Sequence, residues 1–496
     1  MHSTCTAAEQ GEVCPMAKQP RAASANSSTP TQPATQLDVE WIPTSALVLD
    51  AANLRKHPEK NLEAIKASIK RFGFQKPIVI GKDNTIIAGN GTLTAAKELG
   101  IAKVPCVRSE LGGAERVAYA IADNRTNELS EWDDANLLQT LQAMDPDDVE
   151  ALGFAGSDMT ELVDSQAGEL EDDPTLAPAP VSVSQLGDIW HLGEHRIINS
   201  DSTKAETYEA LLQGELAALC STDPPYMVDY TGTRMPKENS SQQSGKDWSA
   251  QYDEVSIADP VAFYRDIWTL ALRFTVPTAA FYCWYAHTRS HECRLRAVWD
   301  ELDILPHQTI IWAKPTAAFG RSVWHFRHEP AMMGWRRGHK PLCKAIQESS
   351  SVWTDGKPLE QYSHAELVQM VKELSNLWEI DWEGKARVVG NEHPTQKPLE
   401  IFARPHRKHT NVGDVVLEPF SGSGSQLIAA EMTQRRCRAI ELQPVFVDVA
   451  IRRWQRLTGK DATLADGTPW RKVAKKRGIK LDEDGTPVSG PKPAKT

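Results

Sequence analysis

The chain has 496 residues and a formal net charge of −11, with 24% of residues charged and 41% hydrophobic. That length predicts two or three domains. No long uncharged apolar run occurs, which argues against a membrane-spanning helix. The 8 cysteines are scattered, which argues for reduced thiols and an intracellular, cytoplasmic protein rather than a disulfide framework.

Residues 1–36 are rich in Ala, Ser, Thr, Gln and Pro and predict a disordered tail. They contain no apolar core flanked by basic residues, so no secretory signal is expected. An α/β module is predicted over 37–164. Leu62, Ile65, Ile69 and Phe72 recur along one helical face, which Gly73 terminates. Pro77–Ile80 and Thr85–Ala88 predict two strands around the turn Gly81-Lys82-Asp83-Asn84. Gly89-Asn90-Gly91 then opens a helix over Thr92–Leu99. This order resembles the N-terminal domain shared by ParB-like partition proteins and sulfiredoxin. The run from Ala122 through Asp133 resembles the extension found where that module is fused to a methyltransferase. In partition proteins the matching turn carries arginines that bind nucleotide phosphates. Here Asn90, Gly91 and Thr92 follow Gly89, so the basic pair is missing. A glycine turn opening a helix retains N–H groups suited to an anion; a purely structural turn accounts for it equally, and no nuclease or nucleotidase activity is assigned.

From Asp145 to Asp173 the chain is strongly acidic, and from Thr175 to Val183 it is rich in Pro and Ala. This pattern predicts a solvated helix and then a linker over 165–185. Beyond it, Leu216–Leu219 reads as a buried strand. Asp223-Pro224-Pro225-Tyr226 must end that strand, because neither proline can donate to a ladder. A carboxylate, a rigid carbonyl and an aromatic face then stand at a sheet's carboxyl edge, where open α/β sheets bind ligands.

Asp414–Phe420 predicts another strand, followed by the turn Ser421-Gly422-Ser423-Gly424-Ser425, a helix over Gln426–Thr433, and a strand Cys437–Glu441 ending in an acid. Strand, glycine turn, helix, strand and acid form the nucleotide-binding half of a doubly wound sheet. Glu441 falls about 20 residues beyond the first strand's end, where a ribose-binding acid is expected. The spacing is not the dinucleotide G-x-G-x-x-G.

Together these two segments resemble the paired motifs of S-adenosylmethionine-dependent DNA amino-methyltransferases. The quartet precedes the glycine turn, the permuted order of the beta group. Gly187–His195 with Asn199-Ser200-Asp201, Arg327–Trp335 and His393–Pro398 share the likeness, which covers roughly 186–459. The resemblance implies a Rossmann-like doubly wound methyltransferase sheet of permuted motif order, joined to the smaller N-terminal α/β domain. It implies that Asp223, Pro224, Pro225 and Tyr226 form the target-amine site. Phe420, Gly422, Ser423, Gly424 and Ser425 would cradle S-adenosylmethionine, Glu441 would bind its ribose, and Asp201 would meet its adenine. Thr395 and Lys397 would lie near its methionine end. Glu418 stands where the family has Asp, which leaves its role open.

The chemistry suits these residue types. An exocyclic amine is a poor nucleophile because its lone pair is delocalised into the ring. The Asp223 carboxylate and the Pro224 carbonyl can accept its two hydrogens, and proline holds that carbonyl with little further ordering. Tyr226 would stack on the base, which must be flipped out of double-stranded DNA. Adenine N6 is the expected target; cytosine N4, or a DNA-bound ParB-like regulator, is the alternative. No nuclease partner is evident, homodimerisation is left open, and a prokaryotic or phage modification enzyme is expected.

Residues 338–391 occupy the place of a target-recognition region and contain Trp353, Trp378 and Trp382. Arginine clusters at Arg289 to Arg296, Arg321 to Arg327, Arg336 to Lys340 and Arg404 to His409 are candidates for phosphate contacts. Residues 460–496 predict a basic, polar tail. Cys283, His287 and His291 would share a helical face were that stretch helical, but Cys293 would point elsewhere, and no metal is expected.

Overall fold

The computed structural model describes residues 38–50, 53, 55–130, 132–154, 156–167, 176–225, 257, 259–286, 289–314, 328–344, 376–380 and 397–490. The chain divides into two compact units, Met1–Glu131 and Trp132–Thr496.

The first unit runs β1 (Val39–Pro43), α1 (Glu59–Phe72), β2 (Ile78–Ile80), β3 (Ile86–Ala88), α2 (Asn90–Glu98), β4 (Lys103–Arg108) and α3 (Gly113–Glu128). Its sheet has the order β1-β4-β2-β3, with β2 and β4 parallel. Ile42, Ile78, Ile80, Ile86, Leu93 and Val104 pack into its core. The predicted helix ends at Gly73, whose N–H caps the Ile69 carbonyl. Its apolar face is only half-buried, and Phe72 is 46% exposed.

The second unit begins with three short helices, α4 (Asp134–Gln142), α5 (Pro146–Ala151) and α6 (Gly156–Ala167). Acidic side chains start two of them: Asp133 accepts from the Asn136 N–H and Asp145 from the Asp147 N–H. The remainder runs β5 (Ile189–Leu192), β6 (His195–Asn199), α7 (Ala205–Leu212), β7 (Ala217–Thr222), α8 (Pro260–Arg273), β8 (Thr275–Trp284), α9 (Arg289–Glu301), β9 (Ile304–Ala313), β10 (His328–Arg336), β11 (Leu377–Glu379), α10 (Glu400–His409), β12 (Val415–Glu418), α11 (Ser425–Met432), β13 (Arg436–Glu441), α12 (Pro444–Thr458), β14 (Thr463–Leu464), α13 (Trp470–Lys476), β15 (Lys480–Leu481) and β16 (Pro487–Ser489).

One sheet carries the strand order β11-β9-β10-β8-β7-β12-β13-β6-β5-β14. Its centre, β8-β7-β12-β13-β6, is all parallel. Those strands are apolar on both faces, as helix-covered parallel strands must be. Leu219, Val416 and Ala439 face one core together with α10, α11 and α12. Cys220, Leu417 and Ile440 face the other, with α7, α8 and α9. The chain leaves β12 through α11 to reach β13 on one side and leaves β7 through α8 to reach β8 on the other. The strand order therefore reverses between β7 and β12, and a crevice opens at their carboxyl ends.

Three expectations differ from the structure. The units divide between 131 and 132 rather than at 164, because α6 is anchored to the large sheet. Fully buried Arg435 holds Asp164 through Nη1 and Nη2 at 2.6 and 3.1 Å, and Thr160 Oγ1 accepts from the Val412 N–H. The end of the 165–185 segment is docked: Ser184 is buried, and its N–H and hydroxyl both bond the Asp448 carboxylate. Much of the 460–496 segment folds as well, since Trp470, Val473 and Ala474 enter the core and Trp470 Nε1 donates to Asp448. Apolar residues at helical spacing inside a lysine-rich stretch are the signal that average composition hides.

Candidate active site

The crevice is built from the strand ends. Val416 pairs with Leu219 and Leu417 with Cys220. That register sets Glu418 level with Ser221, and Asp223 lies just beyond. The strand stops where expected, at Thr222. Pro224 is buried and Pro225 exposed.

Asp223 is held by a cation from far along the sequence. Lys397 Nζ lies 2.7 Å from Asp223 Oδ2 and 3.1 Å from Glu329 Oε2. Lys314 pairs with the other oxygen of Glu329. Burial would depress the Lys397 ammonium, but Asp223 and Glu329 hold it above the ordinary lysine range. Burial would likewise raise Glu329, yet Lys397 and Lys314 keep its carboxyl at about 2. Sequence reasoning noted the run around Glu329 without giving that residue a role, and it missed Lys314.

The glycine turn follows β12. Gly422 has φ +52 and a Cβ there would meet nothing within 4 Å, so open space faces this part of the turn. Gly424 is constrained by packing instead. It caps α11 at φ +82, and a Cβ would sit 2.6 Å from Ala450 Cβ. Ser423 and Ser425 are buried, with hydroxyls 3.2 and 3.3 Å from Arg453 Nη1, which also donates to the Ser423 carbonyl. Arg453, fully buried on α12, thus ties down the turn, and no local motif announces it. Phe420 packs on Phe263 at 5.6 Å between ring centres.

Two buried acids flank the turn. Glu441 Oε2 accepts from the Gly422 N–H at 2.7 Å and Oε1 from the Gln443 N–H at 2.8 Å. Burial raises its carboxyl to about 7 against those amides. Glu418 is 1% exposed; burial pushes it well above the usual carboxylate range, and Glu441 and Asp223 push the same way. Its Oε2 and Gln426 Oε1 are buried with no hydrogen-bond partner among the described residues. At the end of β6, Asn199 Nδ2 donates to the carbonyls of Glu441 and Leu442, clamping two strand ends together. Asp201 follows, its carboxylate closing a turn onto the N–H and hydroxyl of Thr203.

Tyr226, Thr395 and most of 338–391 lie outside the described residues. Trp378 within that region is buried against Tyr282 and Trp284. Several candidate phosphate contacts are committed elsewhere. His406 and His409 are buried, Arg404 and Arg407 pair with Glu400, and Arg337 pairs with Asp300 and Asp303. Cys283 sits in strand β8 and His291 in α9, so the common helical face does not form, and His287 lies outside the described residues. Among the described residues no group of three or more His, Cys, Asp or Glu side chains could hold a metal, and no helix is long and apolar enough to cross a membrane.

A doubly wound sheet whose reversal point gathers a proline-locked acid, a glycine turn and a strand-end acid defines a Rossmann-like, nucleotide-handling enzyme. Residues 217–452 match the N6/N4 family of DNA methylases, and residues 28–125 match the ParB N-terminal domain. The chain therefore carries a DNA methylase domain in its larger unit, with a ParB N-terminal domain ahead of it. It is 23% identical over 239 residues to the type II methyltransferase M2.MboI of Moraxella bovis, covering 48% of this chain and 80% of that relative. It is 22% identical over 261 residues to M2.DpnII of Streptococcus pneumoniae, covering 52% and 88%. Among solved structures it is similar to the PvuII DNA methyltransferase (cytosine-N4-specific), at 14% identity and a TM-score of 0.37, covering 59% of this chain and 93% of that one.

Proposed function

We propose that the larger unit transfers a methyl group from S-adenosylmethionine to adenine N6 in double-stranded DNA, with the target base turned out of the helix. The observation that carries this reading is the position of Asp223 and Pro224, at the end of β7 and one strand away from the β12 turn.

The residues present fit the cofactor: open space against Gly422, a buried acid at the end of β13, and the unpartnered Glu418 Oε2 beside them. Glu441 would accept from ribose hydroxyls, Asp201 would meet the adenine end, and the backbone from Phe420 to Ser425 would line the remainder. The hydroxyls of Ser423 and Ser425 already bond Arg453, so these two serve through the main chain. On the family's pattern Thr395 would stand near the cofactor's methionine end; Lys397, expected beside it, is bonded to Asp223 instead. Bound there, the cofactor supplies an electrophilic methyl group.

What the chain does is hold and orient. The Asp223 carboxylate and the Pro224 carbonyl accept the two amine hydrogens, which favours a nitrogen whose lone pair points into the crevice. Proline fixes φ, so the carbonyl needs little further ordering. Tyr226 stacks on the base. Asp rather than Ser at 223 favours adenine over cytosine, on the family's pattern.

The test is incubation of the purified chain with labelled S-adenosylmethionine and unmodified duplex DNA, followed by nucleoside analysis. N6-methyladenine is expected. N4-methylcytosine would move the target to the other amine, and an absence of methylated base would refute the reading. Asp223→Ala should abolish transfer while cofactor still binds.

A further inference from the structure

We propose that Lys397 and Glu329 are positioning residues for Asp223, so that Lys397 serves the acceptor rather than the cofactor. The inference rests on the reading of Asp223 as the amine acceptor and names what makes it one. Lys397 Nζ is 2.7 Å from Asp223 Oδ2 and 3.1 Å from Glu329 Oε2, with Lys314 bonded to the far oxygen of Glu329. These groups come from four separate places: the end of β7, the approach to α10, the start of β10 and the end of β9.

The setting makes a cation necessary. Asp223, Glu418 and Glu441 converge on one crevice, and burial opposes charge on Glu418 and Glu441. Acids crowded in this way do not all ionise. A protonated Asp223 would donate a hydrogen bond where the amine requires an acceptor. An ammonium at 2.7 Å favours the charged carboxylate. Glu418 has no ion pair among the described residues, and burial pushes its carboxyl well up although Arg453 pulls the other way. The environments thus pull the acids apart: the ammonium favours charge on Asp223, and burial disfavours it on Glu418. Glu329 fixes Lys397 from behind, and Lys314 balances Glu329. Other polar groups packed near Asp223 are the Tyr264 hydroxyl of α8 and the Cys283 thiol of β8, both pushed upward by burial and so uncharged. A carboxylate offers about four lone-pair sites, so the bond to Lys397 leaves capacity for a substrate hydrogen.

A merely stabilising ion cluster is a weaker account. Buried charges often stabilise no better than apolar side chains of similar volume. These bind the acid at the proposed chemical centre.

The experiment compares full-length wild type with Lys397→Gln, Glu329→Gln and Asp223→Asn, using labelled S-adenosylmethionine and unmodified duplex DNA. Lys397→Gln should lower kcat about 10²-fold at saturating cofactor. It should also move the acid limb of kcat upward by about 1–3 pH units, with the Kd for S-adenosylmethionine unchanged in calorimetry. Glu329→Gln removes a like charge, so its acid limb should not rise. A Lys397→Gln enzyme with weakened cofactor binding and normal kcat would overturn the proposal, as would an unmoved acid limb. Should Lys397→Gln fail to fold by circular dichroism, Glu329→Gln decides: its kcat should fall with the Kd for S-adenosylmethionine unchanged, and a normal kcat there overturns the proposal. Asp223→Asn keeps the two readings apart. Full transfer by that variant defeats the acceptor role itself. An inactive Asp223→Asn beside a normal Lys397→Gln defeats only the positioning role.

Discussion

Replacing Gly422 and Gly424 by alanine, one at a time, separates two demands that the turn after β12 meets together. Both have left-handed φ, +52 and +82, where an L side chain costs about 1–2 kcal/mol. At Gly422 that is the whole cost, because a Cβ would meet nothing within 4 Å. At Gly424 the Cβ would lie 2.6 Å from Ala450 Cβ and 3.1 Å from Ala450 Cα. Ala450 sits on α12 between buried Val449 and Ile451, so the obstacle is a methyl fixed to helix backbone and cannot rotate aside. Forcing an extra methyl into a packed contact adds about 1–3 kcal/mol. Gly424→Ala should therefore lower stability by about 2–5 kcal/mol and Gly422→Ala by about 1–2. Urea unfolding measures both. Gly422→Ala should instead weaken S-adenosylmethionine binding, measured by calorimetry, since its methyl enters the open space. Equal stability losses for the two variants would refute the packing argument.

Two further outcomes follow from buried charge. Glu441 sits at about 7, and ribose hydroxyls favour its ionised form, so below that pH cofactor binding must first remove a proton. Affinity should fall by up to about tenfold per pH unit below 7 and level off above it; Glu441→Gln should abolish the step in calorimetric titrations. The sign for the ligand-free protein is the reverse. Its folded carboxyl lies above the unfolded value of 4.5, so this contribution to stability declines as pH rises from 4.5 towards 7. Asp164→Asn leaves fully buried Arg435 without its carboxylate, and should cost about 3–5 kcal/mol in urea unfolding. A loss well under that range would show that α6 is not held by the pair. Asp164→Leu combined with Arg435→Met should recover most of the loss.

The sequence by itself determined what each strand end carries. Local rules suffice for that: prolines must stop β7, alternating apolar runs must be buried, and glycines with an acid one unit later mark a nucleotide-binding half. Helix and strand periods exposed the N-terminal module in the same way. Local rules fail where a side chain's partner is remote. Lys397 is expected at the cofactor's methionine end until the fold brings Asp223 and Glu329 to it. Arg453 carries no motif, although it ties down the turn, and Ser423 and Ser425 turn towards it rather than towards the crevice. Helix α6 reads as a solvated acidic stretch until Arg435 meets Asp164. The basic patch at 404–409 dissolves once two histidines are buried and two arginines find Glu400. Only the tertiary structure decided these assignments, because the free energy of a charge depends on what surrounds it, and its surroundings come from segments that the chain order keeps far apart.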